Sequence, residues 1–91
     1  MDKDWTKDLE HDEYEFNIDL IIKDALQAVE ETKKGHFVNL VTAETFGNPV
    51  DYIQPLLEEL YPDQVKIKFI DQCGCGGYVL RVWKSKFFMT I

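Results

Sequence analysis

The sequence is poor in basic residues and has no long apolar run. Ten Lys and Arg stand against seventeen Asp and Glu, giving a net charge of -7, without the clustered positive charge that binding to nucleic acid or an anionic membrane requires. No segment approaches the roughly 18 consecutive apolar residues of a membrane span, and the N-terminus lacks a secretory signal pattern. We therefore expect a cytoplasmic protein with no nucleic-acid and no membrane partner.

Cysteine is equally scarce. Cys73 and Cys75 are the whole complement, which is too few for a framework of disulfides and fits a compartment where thiols stay reduced. The sequence also lacks a Ser–His–Asp order, a phosphate-binding loop and a paired-carboxylate signature. We therefore predict that the chain is not an enzyme and holds no cofactor of its own.

What is present predicts one small folded domain. The 91 residues are 45% apolar and 13% aromatic, enough to bury a core. Charge is unevenly spread, because residues 1–31 carry a net charge of -8 and residues 65–91 a net charge of +4. This asymmetry either steers a partner or lets the two ends attract each other across the fold.

We divide the chain into an acidic N-terminal arm, residues 1–16, and a single α/β domain, residues 17–91. The arm carries Trp5 and Leu9, so we expect it to dock onto the domain as an irregular arm or an edge strand. The C-terminal residues 87–91 are apolar, and the oligomeric state stays open between a monomer and a homodimer.

Apolar periodicity predicts two helices. Residues 17–34 place isoleucine, alanine and leucine at helical spacing, with Asn17 as the N-cap and Gly35 as the stop. Residues 49–60 predict a second helix capped by Asn48. Pro55 lies inside this second helix, where it removes a backbone donor and should produce a kink.

Three strands complete the predicted fold, at residues 36–43, 65–70 and 78–83. The last two should form an antiparallel hairpin, while the strand–helix–strand unit before them should give a parallel pair. The predicted fold class is therefore α/β: a small helix–strand–helix–strand–strand sandwich with a mixed sheet.

The predicted hairpin loop is where we look for chemistry. Three of the chain's five glycines surround both of its thiols there, in the order Cys73, Gly74, Cys75, Gly76 and Gly77. A turn alone needs only one such glycine. Metal binding is one interpretation, because two thiolates can hold Cu(I) or, across a homodimer, complete a site of four sulfurs.

Three other interpretations of the loop stay open. Cys73 and Cys75 could exchange a strained disulfide, although no Lys or His directly flanks them to lower a thiol pKa. The loop could instead be the substrate of another enzyme, because a radical at a glycine Cα is delocalised and a neighbouring thiol can add to it. The last interpretation is a plain hairpin turn.

The loop with its two flanks, and two earlier stretches of the chain, resemble a known family. Residues 35–42, 47–52 and 71–82 are similar to the CGCGG family, small archaeal and bacterial proteins proposed to be ribosomally made and modified by a radical S-adenosylmethionine (radical-SAM) enzyme. The similarity runs from Trp5 to Trp83. It implies a modification target at the two cysteines and a radical-SAM maturase as partner, which would carry the iron–sulfur cluster and S-adenosylmethionine.

A second resemblance concerns the outline of the fold. Residues 46–60 are similar to the active-site turn and helix of thioredoxins, in which two prolines stand six apart as Pro49 and Pro55 do here. Gly47 and Val50 occupy the places of the two thioredoxin cysteines. The resemblance therefore implies a thioredoxin-like architecture without thioredoxin redox chemistry.

Overall fold

A computed structural model describes residues 3–72 and 77–84, which form a four-stranded sheet with helices on one side. The predicted α/β sandwich with a mixed sheet is confirmed. Its elements are β1 (Trp5–Leu9), α1 (Ile18–Glu31), β2 (Phe37–Thr42), α2 (Pro49–Tyr52), α3 (Gln54–Leu60), β3 (Val65–Gln72) and β4 (Tyr78–Lys84), with short 3-10 turns at Asp12–Glu15 and Glu44–Phe46. None of the helices in these two ranges is long and apolar enough to cross a bilayer.

The strands lie in the order β1-β2-β4-β3. The predicted antiparallel hairpin of β3 and β4 is confirmed, and β1 pairs with β2 in parallel. The predicted parallel pairing of the strands on either side of α2 and α3 is wrong, because β4 lies between β2 and β3. Lys66 and Lys68 make β3 better suited to an edge than to the middle of a sheet.

Helix α1 begins where the sequence predicts. The Asn17 side chain accepts a hydrogen bond of 3.1 Å from the backbone N–H of Leu20, which satisfies a donor that the first helical turn leaves free. The helix buries one stripe against the sheet, namely Ile21, Ala25, Ala28 and Val29.

The end of α1 is different from the prediction. The helix stops at Glu31 rather than near Lys34, and Thr32 is already extended. The Lys84 ammonium donates to the carbonyls of Val29 at 2.8 Å and Thr32 at 3.1 Å. A lysine from β4 therefore supplies positive charge at the end of α1, where the helix dipole is negative.

The second predicted helix is broken, as Pro55 indicates. Asn48 caps α2 by accepting from the Val50 N–H at 2.9 Å, and Pro49 occupies the first turn, where no backbone donor is needed. Ile53 separates α2 from α3, and Pro55 lies in the first turn of α3. The predicted kink is confirmed as a break between two short helices.

Strand β1 comes from the acidic N-terminal segment. Leu9 is fully buried, and the indole N–H of Trp5 donates to the Thr32 hydroxyl at 2.9 Å. The Asp4 carboxylate accepts from the backbone N–H of Phe37 at 3.0 Å, just beyond the first strand pair. These contacts make residues 5–9 the edge strand of the sheet.

The two faces of the sheet have different surroundings. On the covered face, strand residues pack with α1 and α3 into one core whose strand members are Leu9, Val38, Leu40, Leu80 and Val82. Within residues 3–72 and 77–84 no helix packs on the other side, which we call the open face. Because strand side chains alternate, this open face includes Thr6, Asp8, Phe37, Asn39, Val41, Lys66, Lys68, Val79, Arg81 and Trp83.

Candidate functional site

The β3–β4 hairpin frames the predicted loop. The strands stay paired up to Gln72 and Tyr78, so five residues connect them. Cys73, Gly74, Cys75 and Gly76 lie outside the described residues. Gly77 is described and is buried at the base of β4. The structure therefore describes the two strand ends between which the loop lies, at Gln72 and Tyr78.

Strand β3 contains a β-bulge at Ile70, shortly before the loop. Phe69 pairs with Leu80 and Asp71 with Val79, so Ile70 is an extra residue on β3. A bulge of this kind bends its strand and increases the local twist. Strand β3 also extends two residues past the predicted end at residue 70, because Asp71 and Gln72 continue the ladder with β4.

Aromatic contact anchors the base of the hairpin. The rings of Phe69 and Tyr78 lie 6.0 Å apart at 51°, within the range in which aromatic pairs attract each other. Phe69 also packs against the core. The hairpin is therefore attached to the body of the protein immediately beside the loop.

Two buried hydroxyls lie at this end of the sheet. Thr42 is fully buried and opposite Tyr78 in the ladder, and its hydroxyl faces that of Tyr52. Neither hydroxyl forms a hydrogen bond of normal geometry within the described part of the chain. Burial raises the pKa of Tyr52, and the neighbouring Thr42 hydroxyl partly opposes that rise. Both groups therefore stay neutral polar atoms close to the base of the loop.

Strand direction brings the Gly47–Pro49 turn to the same end of the sheet as the loop. The turn follows β2, and β2 runs antiparallel to β4. Gly47 has φ 83° and ψ -168°, a conformation open to glycine but not to residues with a Cβ. Glu44 and Asp51, the acidic residues around this turn, are exposed.

Comparison with known families decides the identity of this chain. A family model described as "Putative radical SAM target protein" matches residues 1–85, which include the whole hairpin and its loop. The chain belongs to that family. The resemblance inferred from the loop and its flanks is thereby confirmed at the level of the family.

Curated proteins and solved structures add nothing to this assignment. No curated protein matches the chain, and no solved structure does. The thioredoxin-like outline of this chain therefore stays a prediction that no structural neighbour supports.

The two histidines of the chain lie at opposite ends of the sheet. His11 follows β1, at the end of the sheet where the loop is held, and its Nδ1 lies 2.8 Å from an Asp8 carboxylate oxygen. His36 precedes β2, at the far end, with its Nδ1 3.3 Å from Asp4. Of the two histidines, only His11 therefore lies at the end of the sheet that holds the loop.

The carboxylate beside His11 has a perturbed pKa. Burial raises the pKa of Asp8, but the backbone N–H of Glu10 and the His11 ring outweigh that effect, so the pKa of Asp8 is lowered overall. Side-chain ligand atoms of Asp8, Glu10 and His11 all lie within 4.8 Å of one another. Such a network orders the turn after β1.

Sequence reasoning missed three features of this region. The bulge at Ile70 and the hydroxyl pair of Thr42 and Tyr52 depend on strand register, which local patterns do not reveal. The Lys84 cap of α1 depends on contact between residues 52 or more positions apart. A lysine at the end of a largely apolar strand is the signal that the sequence offers.

Proposed function

We propose that this chain is the substrate of a radical-SAM enzyme that converts the thiols of Cys73 and Cys75 into thioethers. Membership of the radical-SAM target family over residues 1–85 carries this proposal. The clustering of both cysteines with three glycines supports the choice of residues 73–77. The chain has no catalytic activity of its own in this proposal, and it acts in the cytoplasm.

The chemistry of the loop residues fits such a step. The partner enzyme holds the iron–sulfur cluster and S-adenosylmethionine, and supplies the adenosyl radical that removes one hydrogen atom from a glycine Cα. The cysteine sulfur then bonds to that carbon, its proton goes to solvent, and one electron returns to the enzyme. Each thioether therefore costs the chain two hydrogen atoms, while one S-adenosylmethionine becomes methionine and deoxyadenosine.

The folded domain gives the enzyme a rigid surface to bind. The ladder between β3 and β4 ends at Gln72 and Tyr78, and the Phe69–Tyr78 contact attaches it to the core. A loop closed by a rigid hairpin meets an active site with less loss of conformational entropy than a free peptide. This arrangement explains why the target sequence is part of a folded domain.

The test is an intact-mass measurement on the chain produced alone and together with a radical-SAM enzyme encoded beside its gene. We expect a loss of two or four hydrogens that survives reduction, with a matching loss of thiols that react with an alkylating agent. The Cys73→Ser/Cys75→Ser variant should show no loss. An unaltered mass in the presence of an enzyme that turns over S-adenosylmethionine would contradict the proposal.

Single variants sharpen the assignment. Cys73→Ser and Cys75→Ser should each lose one thioether, and Thr45→Ser, on the 3-10 turn after β2, is a matched control that should lose none. Retention of the full mass change in the double variant would also contradict the proposal. Two free thiols with bound copper or zinc after anaerobic purification would favour soft-metal binding at Cys73 and Cys75, and a reversible disulfide would favour thiol exchange.

A further inference from the structure

The open face of the sheet combines apolar and cationic side chains. Four of its members, Phe37, Val41, Val79 and Trp83, are only partly buried and do not belong to the core. On the two central strands they form two pairs, Phe37 with Trp83 and Val41 with Val79, which flank Asn39 and Arg81 in one patch. An apolar patch with a polar rim is characteristic of a surface that meets another protein.

Arg81 is held in place at the centre of this patch. Its Nε donates to the side-chain amide oxygen of Asn39 at 2.8 Å. Its guanidinium lies 4.2 Å from the centre of the Phe37 ring and 5.6 Å from the centre of the Trp83 ring. The two rings meet edge to face at 5.9 Å. A fixed arginine beside a tryptophan is the residue combination that dominates binding energy at protein interfaces.

Three positive charges lie on this face. Lys66 and Lys68 are exposed on β3, and Lys68 lies directly opposite Arg81 in the ladder. Like charges directly opposite each other destabilise a sheet. Within residues 3–72 and 77–84 none of the three forms an ion pair with a carboxylate. Stability of the fold does not explain this cluster.

The acidic part of the chain does not cover the cluster either. Strand β1 lies at one edge of the sheet and β3 at the other, with two strands between them. The expected attraction between the two ends of the chain is therefore not made by ion pairs of the described residues. A chain of net charge -7 keeps a local cationic surface on the hairpin that carries its loop.

We propose that the open face is where the modifying enzyme docks, through carboxylates that meet Lys66, Lys68 and Arg81 around an apolar contact with Phe37 and Trp83. This inference rests on the proposed function. Two observations carry it: the cationic patch calls for an acidic partner, and β3 and β4 hold both the patch and the loop. An enzyme bound there would fix the hairpin while it acts on residues 73–77.

The experiment measures binding of the full chain to the radical-SAM enzyme with its cluster loaded and S-adenosylmethionine left out, so that no reaction occurs. We expect Lys66→Glu/Lys68→Glu to weaken binding by about tenfold or more, equivalent to about 1.4 kcal/mol. The control, Lys23→Glu/Lys33→Glu, makes the same change of charge at two exposed sites on or beside α1 and should weaken binding less than threefold. Binding of the unaltered chain should fall as salt is raised.

Equal weakening by both double variants would overturn the proposal, because the effect would then reflect net charge alone. Undiminished binding of Lys66→Glu/Lys68→Glu would also overturn it. The proposal would fail as well if the unaltered chain self-associates and this variant does not, because a second copy of the chain would then occupy the face. Cys73→Ser/Cys75→Ser should bind as the unaltered chain does. If the enzyme modifies Lys66→Glu/Lys68→Glu as well as it modifies the unaltered chain, the docking surface is refuted and the proposed function still holds.

Discussion

The covered face and the open face of the sheet are built from alternate residues of the same strands. Val38 and Leu40 on the covered face are fully buried, while Asn39 between them is partly exposed on the other side. All three residues have partners on both neighbouring strands, β1 and β4. The difference between the faces therefore comes from what packs against each, not from the strands themselves.

Polar groups are treated differently on the two sides. On the covered face, the Thr32 hydroxyl accepts from the Trp5 indole at 2.9 Å and donates to the Ala28 carbonyl at 2.8 Å, because burial leaves no water to replace either bond. On the open face, Arg81 rests on two aromatic rings and keeps access to solvent. The covered face maintains the fold, and the open face is available for binding.

The largest effect should come from truncation on the covered face. Leu40→Ala leaves a cavity beneath α1 and α3 and should lower the free energy of unfolding by about 2–5 kcal/mol. Val41→Ala, the next residue on the open face, should lower it by roughly 1 kcal/mol or less. Urea unfolding followed by circular dichroism measures both. Equal losses would refute the distinction between the faces.

A second prediction compares two lysines of the same hairpin. Lys84 faces the helices and bonds to two carbonyls at the end of α1, so Lys84→Met should lower the free energy of unfolding by about 1–2 kcal/mol. Lys68→Met on the open face should have almost no effect, or stabilise slightly, because it removes a like-charge pair with Arg81. Thermal and urea unfolding of the two variants provide the measurement. A larger loss at Lys68 would contradict this account.

Alkaline pH should weaken the helical side selectively. Hydrogen bonding to Asp24 raises the pKa of Tyr14 to about 12, and burial together with a hydrogen bond to Glu30 raises the pKa of Tyr61 to about 12. The unfolded chain releases these protons near pH 10, about two units earlier. Their contribution to stability is therefore complete below pH 10 and is lost as pH rises to 12.

Urea midpoints at pH 9 and pH 11 test the alkaline effect. The unaltered chain should lose stability between the two values, by less than the loss expected for Lys84→Met. The control, Tyr14→Phe/Tyr61→Phe, is less stable at pH 9 but should lose less on going to pH 11. The same pH dependence in both chains would show that these hydroxyls are not responsible.

The smallest effect should follow Arg81→Lys on the open face. The substitution keeps the charge but loses the planar contact with Phe37 and the bond to Asn39, so the loss should stay below about 1 kcal/mol. Urea unfolding and the near-ultraviolet signal of Trp83 report it. A loss as large as that of Leu40→Ala would mean that the open face is part of the structural core.

Local signals in the sequence predicted much of this fold. The cap at Asn17, the break at Pro55 and the β3–β4 hairpin all depend on residues close together in the chain, and the structure confirms each. The end of α1 was predicted three residues too late, because Gly35 was taken as the stop. Thr32 leaves the helix first, where its hydroxyl meets the indole of Trp5 from a strand far away in sequence.

For the candidate site, the sequence by itself determined the composition of residues 73–77 and the family to which the chain belongs. Only the tertiary structure decided the order of the strands, with β4 in the centre, and the bulge at Ile70. It alone revealed that Lys66, Lys68 and Arg81 lie together on the open face. The physical reason is range: helix caps and turns follow from neighbouring residues, whereas strand register and charge clusters depend on contacts that only the folded chain creates.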